Sequence, residues 1–205
     1  MNSEWIERTS VERVTRIIAG FAGSLTLTVP ATGTRPTSDR VREAIFSALD
    51  ARGVIEGARV VDLYAGSGAL GLEAASRGAT QVTLVERSMP ATNACRKNAA
   101  AVLKNAPHEI AIDVTSQPVQ AFLSSALAEW DIVFIDPPYE LGGIELIHAL
   151  EKLVPRLAPD ATVVLERSSR DKEPAWPDGL ELDRRKNYGD TTLWWARPSS
   201  DGTVA

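Results

Sequence analysis

The stretch Asp62-Leu-Tyr-Ala-Gly-Ser-Gly-Ala-Leu-Gly71 sets Gly66, Gly68 and Gly71 in a GxGxxG spacing, directly after the apolar run Arg59 to Leu63 and at the start of a helical pattern. A glycine loop between strand and helix lets backbone approach a ligand closely. Glu86 follows at the end of the next apolar run, Gln81 to Glu86, where a carboxylate can accept hydrogen bonds from ribose hydroxyls. The pattern suits either a dinucleotide or S-adenosylmethionine. Asp62 favours the second, because a carboxylate at the first strand's tip repels a pyrophosphate but attracts a sulfonium and an ammonium. The same side chain could also brace the loop or cap the helix, and that role is compatible with binding.

Working outward, three more β-rich runs follow, Glu109 to Val114, Asp131 to Asp136 and Thr162 to Glu166. Helical stretches separate them: Leu70 to Arg77, Ser88 to Asn105, Val119 to Ala128 and Gly143 to Leu157. Strands alternating with helices predict βαβ units and a parallel sheet, and the near-continuous Val, Ile and Leu runs predict burial on both faces. After Glu166 the period changes: Leu180 to Tyr188 and Thr191 to Arg197 are extended runs separated by Gly189-Asp190, a hairpin signal. The fold class is therefore α/β and Rossmann-like. Ahead of the sheet, Thr15 to Ala19 and Leu25 to Val29 read as a small hairpin around Gly20 to Gly23, followed by a loop over Thr32 to Thr37. In the next helix, Ser38 to Leu49, the residues Val41, Ala44, Ile45, Ala48 and Leu49 share one face and leave Arg40, Arg42 and Glu43 outside it. Residues 1–14 read as disordered or a start-site extension, 15–37 as hairpin and loop, 38–197 as the main domain and 198–205 as a tail.

At 205 residues the chain fits one domain, and its 44% hydrophobic and 24% charged content excludes collagenous, low-complexity and largely disordered classes. No apolar run reaches the roughly 18 residues of a membrane span, and Met1 to Arg8 lacks the pattern of a signal peptide. A cytoplasmic protein without a membrane partner is expected. Cys95 is the single cysteine, so no internal disulfide can form. His108 and His148 are isolated, and no metal site is expected. Cys95 reads as a small packing residue, and Trp194-Trp195 as a pair on opposite faces of a strand with one side chain in the core. A net charge of −5 argues against coating nucleic acid by bulk electrostatics, so any such partner must be gripped locally. Arg184-Arg-Lys186 is a short basic run near a strand end, and simple solvation explains it most economically.

The chemistry is carried by Asp136-Pro137-Pro138-Tyr139, at the end of the fourth strand. In an open parallel sheet, ligands bind outside the strands' carboxyl ends near the switch point, which the first and fourth strands flank. Two prolines fix the backbone and leave carbonyls to accept hydrogen bonds. An exocyclic amine is a poor nucleophile because its lone pair is delocalised. Accepting its N–H bonds on the Asp136 carboxylate and the Pro137 carbonyl would orient it toward a methyl donor. Tyr139 offers a face on which a planar base can stack. Glu166, Arg167 and Ser168, ending the fifth strand, are candidates for the substrate side.

These motifs together resemble the class I S-adenosylmethionine-dependent methyltransferases that modify amino groups. More narrowly, the chain resembles the bacterial 16S ribosomal RNA guanine-N2 methyltransferase family that acts on the helix 31 loop of the small subunit. The resemblance rests on Arg16-Ile-Ile-Ala-Gly20, Arg35-Pro-Thr-Ser-Asp-Arg-Val-Arg-Glu43, Asp62 to Glu73, Asp136 to Tyr139 and Tyr188-Gly-Asp-Thr191. It implies a seven-stranded, mostly parallel sheet with an antiparallel last strand, and a methyltransferase domain over 38–197. It implies S-adenosylmethionine held by Asp62, Tyr64, Ala65, Gly66, Gly68, Glu86 and Arg87, with Gln117 as a candidate for the adenine contact. The amino group of guanine would lie at Asp136, Pro137, Pro138 and Tyr139, with Arg35, Arg40, Arg42 and Arg167 as candidate substrate contacts. The implied partner is 16S ribosomal RNA within an assembled or assembling small subunit, and a monomer is expected. The chain departs from the family after Ala22-Gly23, where Ser24-Leu25-Thr26 replaces the usual basic residues. Two alternatives stay open from the residues alone. One is amino-methylation of adenine N6, cytosine N4 or a protein glutamine. The other, from a different class, is an NAD-dependent oxidoreductase.

Overall fold

A computed structural model of the chain describes residues 15–30 and 38–200. Its elements in order are β1 (Thr15–Arg16), β2 (Thr26–Leu27), α1 (Asp39–Arg52), β3 (Arg59–Leu63), α2 (Ala69–Ser76), β4 (Gln81–Val85), α3 (Met89–Leu103), β5 (Ala111–Thr115), α4 (Val119–Ser125), β6 (Trp130–Ile135), α5 (Gly143–Leu153), β7 (Leu157–Ser168), β8 (Leu180–Tyr188) and β9 (Thr191–Pro198). The strands β3 to β9 form one sheet in the order β5-β4-β3-β6-β7-β9-β8. Pairing is parallel from β5 through β7, and β9 runs antiparallel to both its neighbours. The expected α/β sheet with a reversed final strand is thus the observed one. The small hairpin is present as well, reduced to the pair Thr15↔Leu27 and Arg16↔Thr26. The expected loop over 32–37, and Arg35 in it, lie outside the described residues, as do residues 1–14 and 201–205.

The period-two alternation of strands distributes the core over the two sheet faces. Val60, Val82, Leu84, Ile132, Phe134, Val164 and Trp195 pack beneath α1, α2 and α3, while Val61, Leu63, Val85, Val133, Ile135, Val163, Leu165 and Trp194 pack beneath α4 and α5. Both tryptophans are buried. The expectation of one core tryptophan is corrected because helices cover both faces of the sheet. Cys95 is a buried packing residue, as expected.

Helix ends follow local chemistry. Ser38 caps α1, its Oγ accepting from the Val41 N–H at 3.3 Å, and Gly53 closes it in the left-handed region at φ 65°. α4 is shorter than expected because Ala126 turns extended, and α5 gives way at Val154 to a single 3-10 turn in which Pro155 has no N–H to donate. The face of α1 also needs correction: Arg42 is fully buried rather than outside it, and Phe46 belongs to the core. Arg42 Nη2 donates to the Arg16 carbonyl and to Asp39, each at 2.7 Å, which joins α1 to the amino-terminal hairpin.

That hairpin is fixed to α2 by polar contacts. The fully buried carboxylate of Glu73 accepts from the Ile18 and Ala19 N–H groups at 2.6 and 3.0 Å and from Arg77 Nε at 2.7 Å. Ser76 Oγ donates to the Ala19 carbonyl and accepts from the Ala22 N–H. Gly20 sits so close that a Cβ would lie 1.8 Å from the Ser76 carbonyl oxygen, and its φ of +83° excludes most other residues. Replacing Glu73 by Ala strands two backbone donors and takes one of two carboxylates from the mostly buried Arg77, which keeps Asp50 at 2.6 Å. Urea denaturation is expected to show a loss of about 3–5 kcal/mol, as for other broken buried pairs, with a smaller loss for Glu73→Gln, which keeps an acceptor.

Candidate active site

Parallel pairing of β3 with β6, in the register Asp62↔Phe134 and Leu63↔Ile135, brings the glycine loop and the Asp136 loop to one end of the sheet, a strand apart. Between them lies a cavity of about 610 Å³, the size of a nucleoside-bearing ligand. Its wall includes Asp62, Tyr64, Ala65, Gly66, Glu86, Arg87, Asp136 and Pro138, which the sequence had singled out. Gly68 is the N-cap of α2, one residue beyond Ser67 on that wall. Gly71 lets α2 press on the sheet, since a Cβ there would meet Leu84 at 2.4 Å and Val82 at 3.0 Å.

Hydrogen bonds hold the loop in shape. Glu86 accepts from the Gly66 N–H at 3.0 Å and the Ser88 N–H at 2.7 Å. Cys95 Sγ–H donates to the Gly66 carbonyl at 3.3 Å, and burial pushes this thiol up to about 12, so it stays protonated. Asn98, buried on α3, donates to the Ser67 carbonyl at 2.8 Å, donates to the Thr28 carbonyl and accepts from the Thr28 N–H. It thereby ties the hairpin to the glycine loop and leads Val29 and Pro30 onto the cavity wall.

The electrostatics of the cavity are one-sided. Among the described residues, Asp62, Glu86, Asp136, Glu140 and Glu145 share the wall with one cation, Arg87. Asp62 is almost wholly buried and its Oδ2 accepts from the Gly71 N–H at 2.9 Å. Its carboxyl is pushed up to about 7, first by burial and then by the negative fields of Asp136 and Glu86, against the pull of the Gly71 bond. Bracing and lining therefore coexist in one side chain. Tyr64 adopts a left-handed φ of 66°, rare outside glycine, and among the described residues its buried hydroxyl has no partner. Burial and the nearby Glu145 push that phenol up to about 12, so it remains a donor awaiting an acceptor. A cationic nucleoside with hydroxyl and carboxylate groups would satisfy these partners together, which is the fit expected of S-adenosylmethionine.

Asp136 also borders a second, much smaller recess of about 10 Å³, formed with Pro137, Tyr139, Glu166, Arg167 and Ser168. Tyr139 is more than half exposed at its rim. Arg167 donates from Nε to Asp171 at 2.9 Å and from Nη2 to the Leu141 carbonyl at 3.2 Å, which anchors the loop after β6 to the end of β7.

Some expected site residues fall elsewhere. Gln117 is not on the cavity wall; Pro118, Val119 and Gln120 are, because α4 begins at Val119 and turns Gln120 inward. Arg40 is exposed on α1 and touches neither space, and buried Arg42 is committed to Arg16 and Asp39. Val29, Pro30, Gln120, Glu140, Leu141 and Glu145 are wall residues that the sequence reading missed. Of these only Glu145 carried a signal, as an acid in the first turn of α5. Neither histidine lines the cavity, and among the described residues no cluster could hold a metal ion.

Comparison with known proteins agrees with this architecture. The family described as conserved hypothetical protein 95 matches residues 15–197. Ribosomal RNA small subunit methyltransferase D of Escherichia coli is 36% identical over 175 residues, covering 85% of each chain. The protein of that name from Haemophilus influenzae is 33% identical over 177 residues, covering 85% of this chain and 89% of its own. The solved structure of yhhF from Escherichia coli superposes with a TM-score of 0.76 at 34% identity, covering 91% of this chain and 98% of that one. With its glycine loop, its Asp136 loop and nearly its whole length inside these matches, the chain belongs to the conserved hypothetical protein 95 family, alongside the ribosomal RNA small subunit methyltransferases D.

Proposed function

We propose that the protein transfers a methyl group from S-adenosylmethionine to the exocyclic N2 of a guanine in 16S ribosomal RNA. The observation that carries this reading is Asp136, the residue common to the walls of the large cavity and the small recess. A cofactor in the first and a base laid over the mouth of the second, against exposed Tyr139, would meet at its carboxylate. When bound, S-adenosylmethionine supplies an electrophilic methyl group on a sulfonium. The Asp136 carboxylate and the Pro137 carbonyl accept the two N–H bonds of the amine and aim its lone pair, an orientation effect. As the nitrogen becomes positive, the Asp136 charge stabilises it, and the surplus proton then passes to Asp136 or water. Tyr139 presents its ring to the base plane. Glu86 and Tyr64 serve the cofactor, as acceptor and donor.

The relatives' names favour ribosomal RNA over a protein glutamine, and guanine N2 is preferred over adenine N6 and cytosine N4 on the resemblance of Arg16 to Gly20 and Arg35 to Glu43 to the guanine-N2 family. The decisive experiment is methylation of small subunits from cells lacking this gene, with digestion to nucleosides and mass spectrometry. N2-methylguanosine is the expected product; a methylated adenosine, cytidine or glutamine would replace the reading. In the same assay Asp136→Ala abolishes transfer while calorimetric affinity for S-adenosylhomocysteine stays within about twofold of wild type. Asp136→Asn retains partial activity, and Tyr139→Phe outperforms Tyr139→Ala.

Asp62 makes cofactor binding depend on pH. Its carboxyl is half-protonated near pH 7 in the free protein, and a cationic ligand favours the ionised form and lowers that value. Binding then releases a proton, so affinity rises with pH through about 7 and levels off above it. Calorimetry of S-adenosylmethionine from pH 5.5 to 8.5 is expected to show a rise of up to about tenfold per unit below the midpoint, and Asp62→Asn flattens it. The substrate form follows from net charge: at −5, and with Ser24-Leu25-Thr26 in place of the family's usual basic residues directly after Gly23, the protein can neutralise few phosphates. Single-turnover methylation at near-physiological salt is therefore expected to be faster on assembled subunits, whose proteins hold the target loop open, than on protein-free 16S RNA.

A further inference from the structure

The basic run Arg184-Arg-Lys186, which simple solvation explains from sequence, is placed by the sheet in a more specific position. It lies on β8, the outermost strand, and strand register fixes its height. Glu166 pairs with Leu193 and Leu193 with Lys186; Arg167 pairs with Thr192 and Thr192 with Asn187. The run therefore reaches the same level as Glu166 and Arg167 of the recess. It stands two strand intervals from β7, about 10 Å at roughly 4.8 Å each. The Ser169 N–H donates to the Asp190 carbonyl at 2.9 Å and binds the segment after β7 to the β8–β9 turn, which brings Arg170 and Lys172 to the same edge.

These cations are not spent on carboxylates. Arg170, Lys172, Arg184, Arg185 and Lys186 are exposed, and none forms an ion pair among the described residues. Three of the neighbouring acids have other partners: Asp183 is held by Arg52 at 2.6 Å, Asp171 by Arg167 at 2.9 Å and Glu181 by Arg197 at 2.8 Å. Aromatic faces hold three of the cations instead. Arg184 lies 4.6 Å over Trp195 on one sheet face, Arg185 4.8 Å over Trp194 on the other, and Lys186 5.2 Å over Tyr188. A guanidinium stacked on a ring keeps its in-plane N–H donors free while its rotamer is restrained, a suitable state for meeting phosphate oxygens. In a chain of net charge −5, a concentrated group of this kind beside the recess stands out electrostatically.

We infer that the edge formed by β8 and the segment after β7 is the surface along which the substrate RNA backbone runs away from the target base, with Arg184, Arg185 and Lys186 contacting its phosphates. The inference rests on the RNA substrate proposed above. It places the grip on RNA at β8, away from the amino-terminal hairpin, where Ser24-Leu25-Thr26 carries no charge. It also accounts for how an acidic protein holds a polyanion: three or four local contacts, with little long-range attraction.

The test compares two triple variants with the same change in charge: Arg184→Gln, Arg185→Gln, Lys186→Gln at the edge, and Arg96→Gln, Lys97→Gln, Lys104→Gln on and just after α3. The edge variant is expected to lower kcat/KM on small subunits at least tenfold near 150 mM salt, through KM, leaving S-adenosylhomocysteine affinity and the melting temperature close to wild type. Its plot of log KM against log salt flattens by roughly 2, at about 0.7 for each lost phosphate contact to a single strand. The α3 variant stays within twofold. Equal losses in both variants, or an edge variant with unchanged KM and salt slope, would overturn the inference and leave the cations as guards of an exposed strand edge. If the wild type methylates no ribosomal RNA, the proposed function fails by itself, and fluorescence anisotropy with a 16S fragment still decides whether the edge binds RNA.

Discussion

Everything at the reactive end of this protein depends on one parallel pairing. β3 and β6 are far apart in sequence, yet their ladder from Val60↔Ile132 to Leu63↔Ile135 delivers Asp62 and Asp136 to the same rim. A slip of one residue would turn Asp62 from one sheet face to the other and exchange the side chains offered to the two cores. The register is held by apolar burial on both sides, with Val60, Ile132 and Phe134 on one face and Val61, Leu63, Val133 and Ile135 on the other. Stability and chemistry are therefore linked at the backbone level.

Around that pairing a second group of contacts turns a rim into an enclosure. Glu73 and Ser76 of α2 hold the amino-terminal hairpin, and Asn98 of α3 ties Thr28 to the Ser67 carbonyl. These are buried, hydrogen-bonded polar groups, whose loss leaves partners stranded, so the hairpin is a fixed part of the cavity wall. On the far side, Arg167 performs the matching task by holding Leu141.

The sheet and the two loops that line the cavity were legible in the sequence because both are written in local patterns. Runs of Val, Ile and Leu mark strands buried on two faces, and a glycine loop or a Pro-Pro pair changes backbone geometry where it stands. What escaped was set by distant partners. Arg42 lies on the i, i+3, i+4, i+7 stripe with Ile45, Phe46 and Leu49, but its charge argued for solvent, and its partner, the Arg16 carbonyl, is 26 residues away. After β5 the wall is formed by Pro118, Val119 and Gln120, with Gln117 off it, a placement decided by where α4 begins. Trp194 and Trp195 alternate as expected, yet both are buried, because helices and the cations of β8 cover both faces.

The position of β9 bears on how the chain is made. Synthesis proceeds from the amino end, and this strand, wedged between β7 and β8, leaves the ribosome after every other strand of the sheet. Trp195 closes the core on one face and Trp194 the core on the other. A nascent chain halted near residue 190 would already contain both reactive loops, while Val163, Val164 and Leu165 lay open along a bare strand edge prone to wrong partners. The sheet is thus complete only once β9 is in place, and the nascent chain stays vulnerable until then.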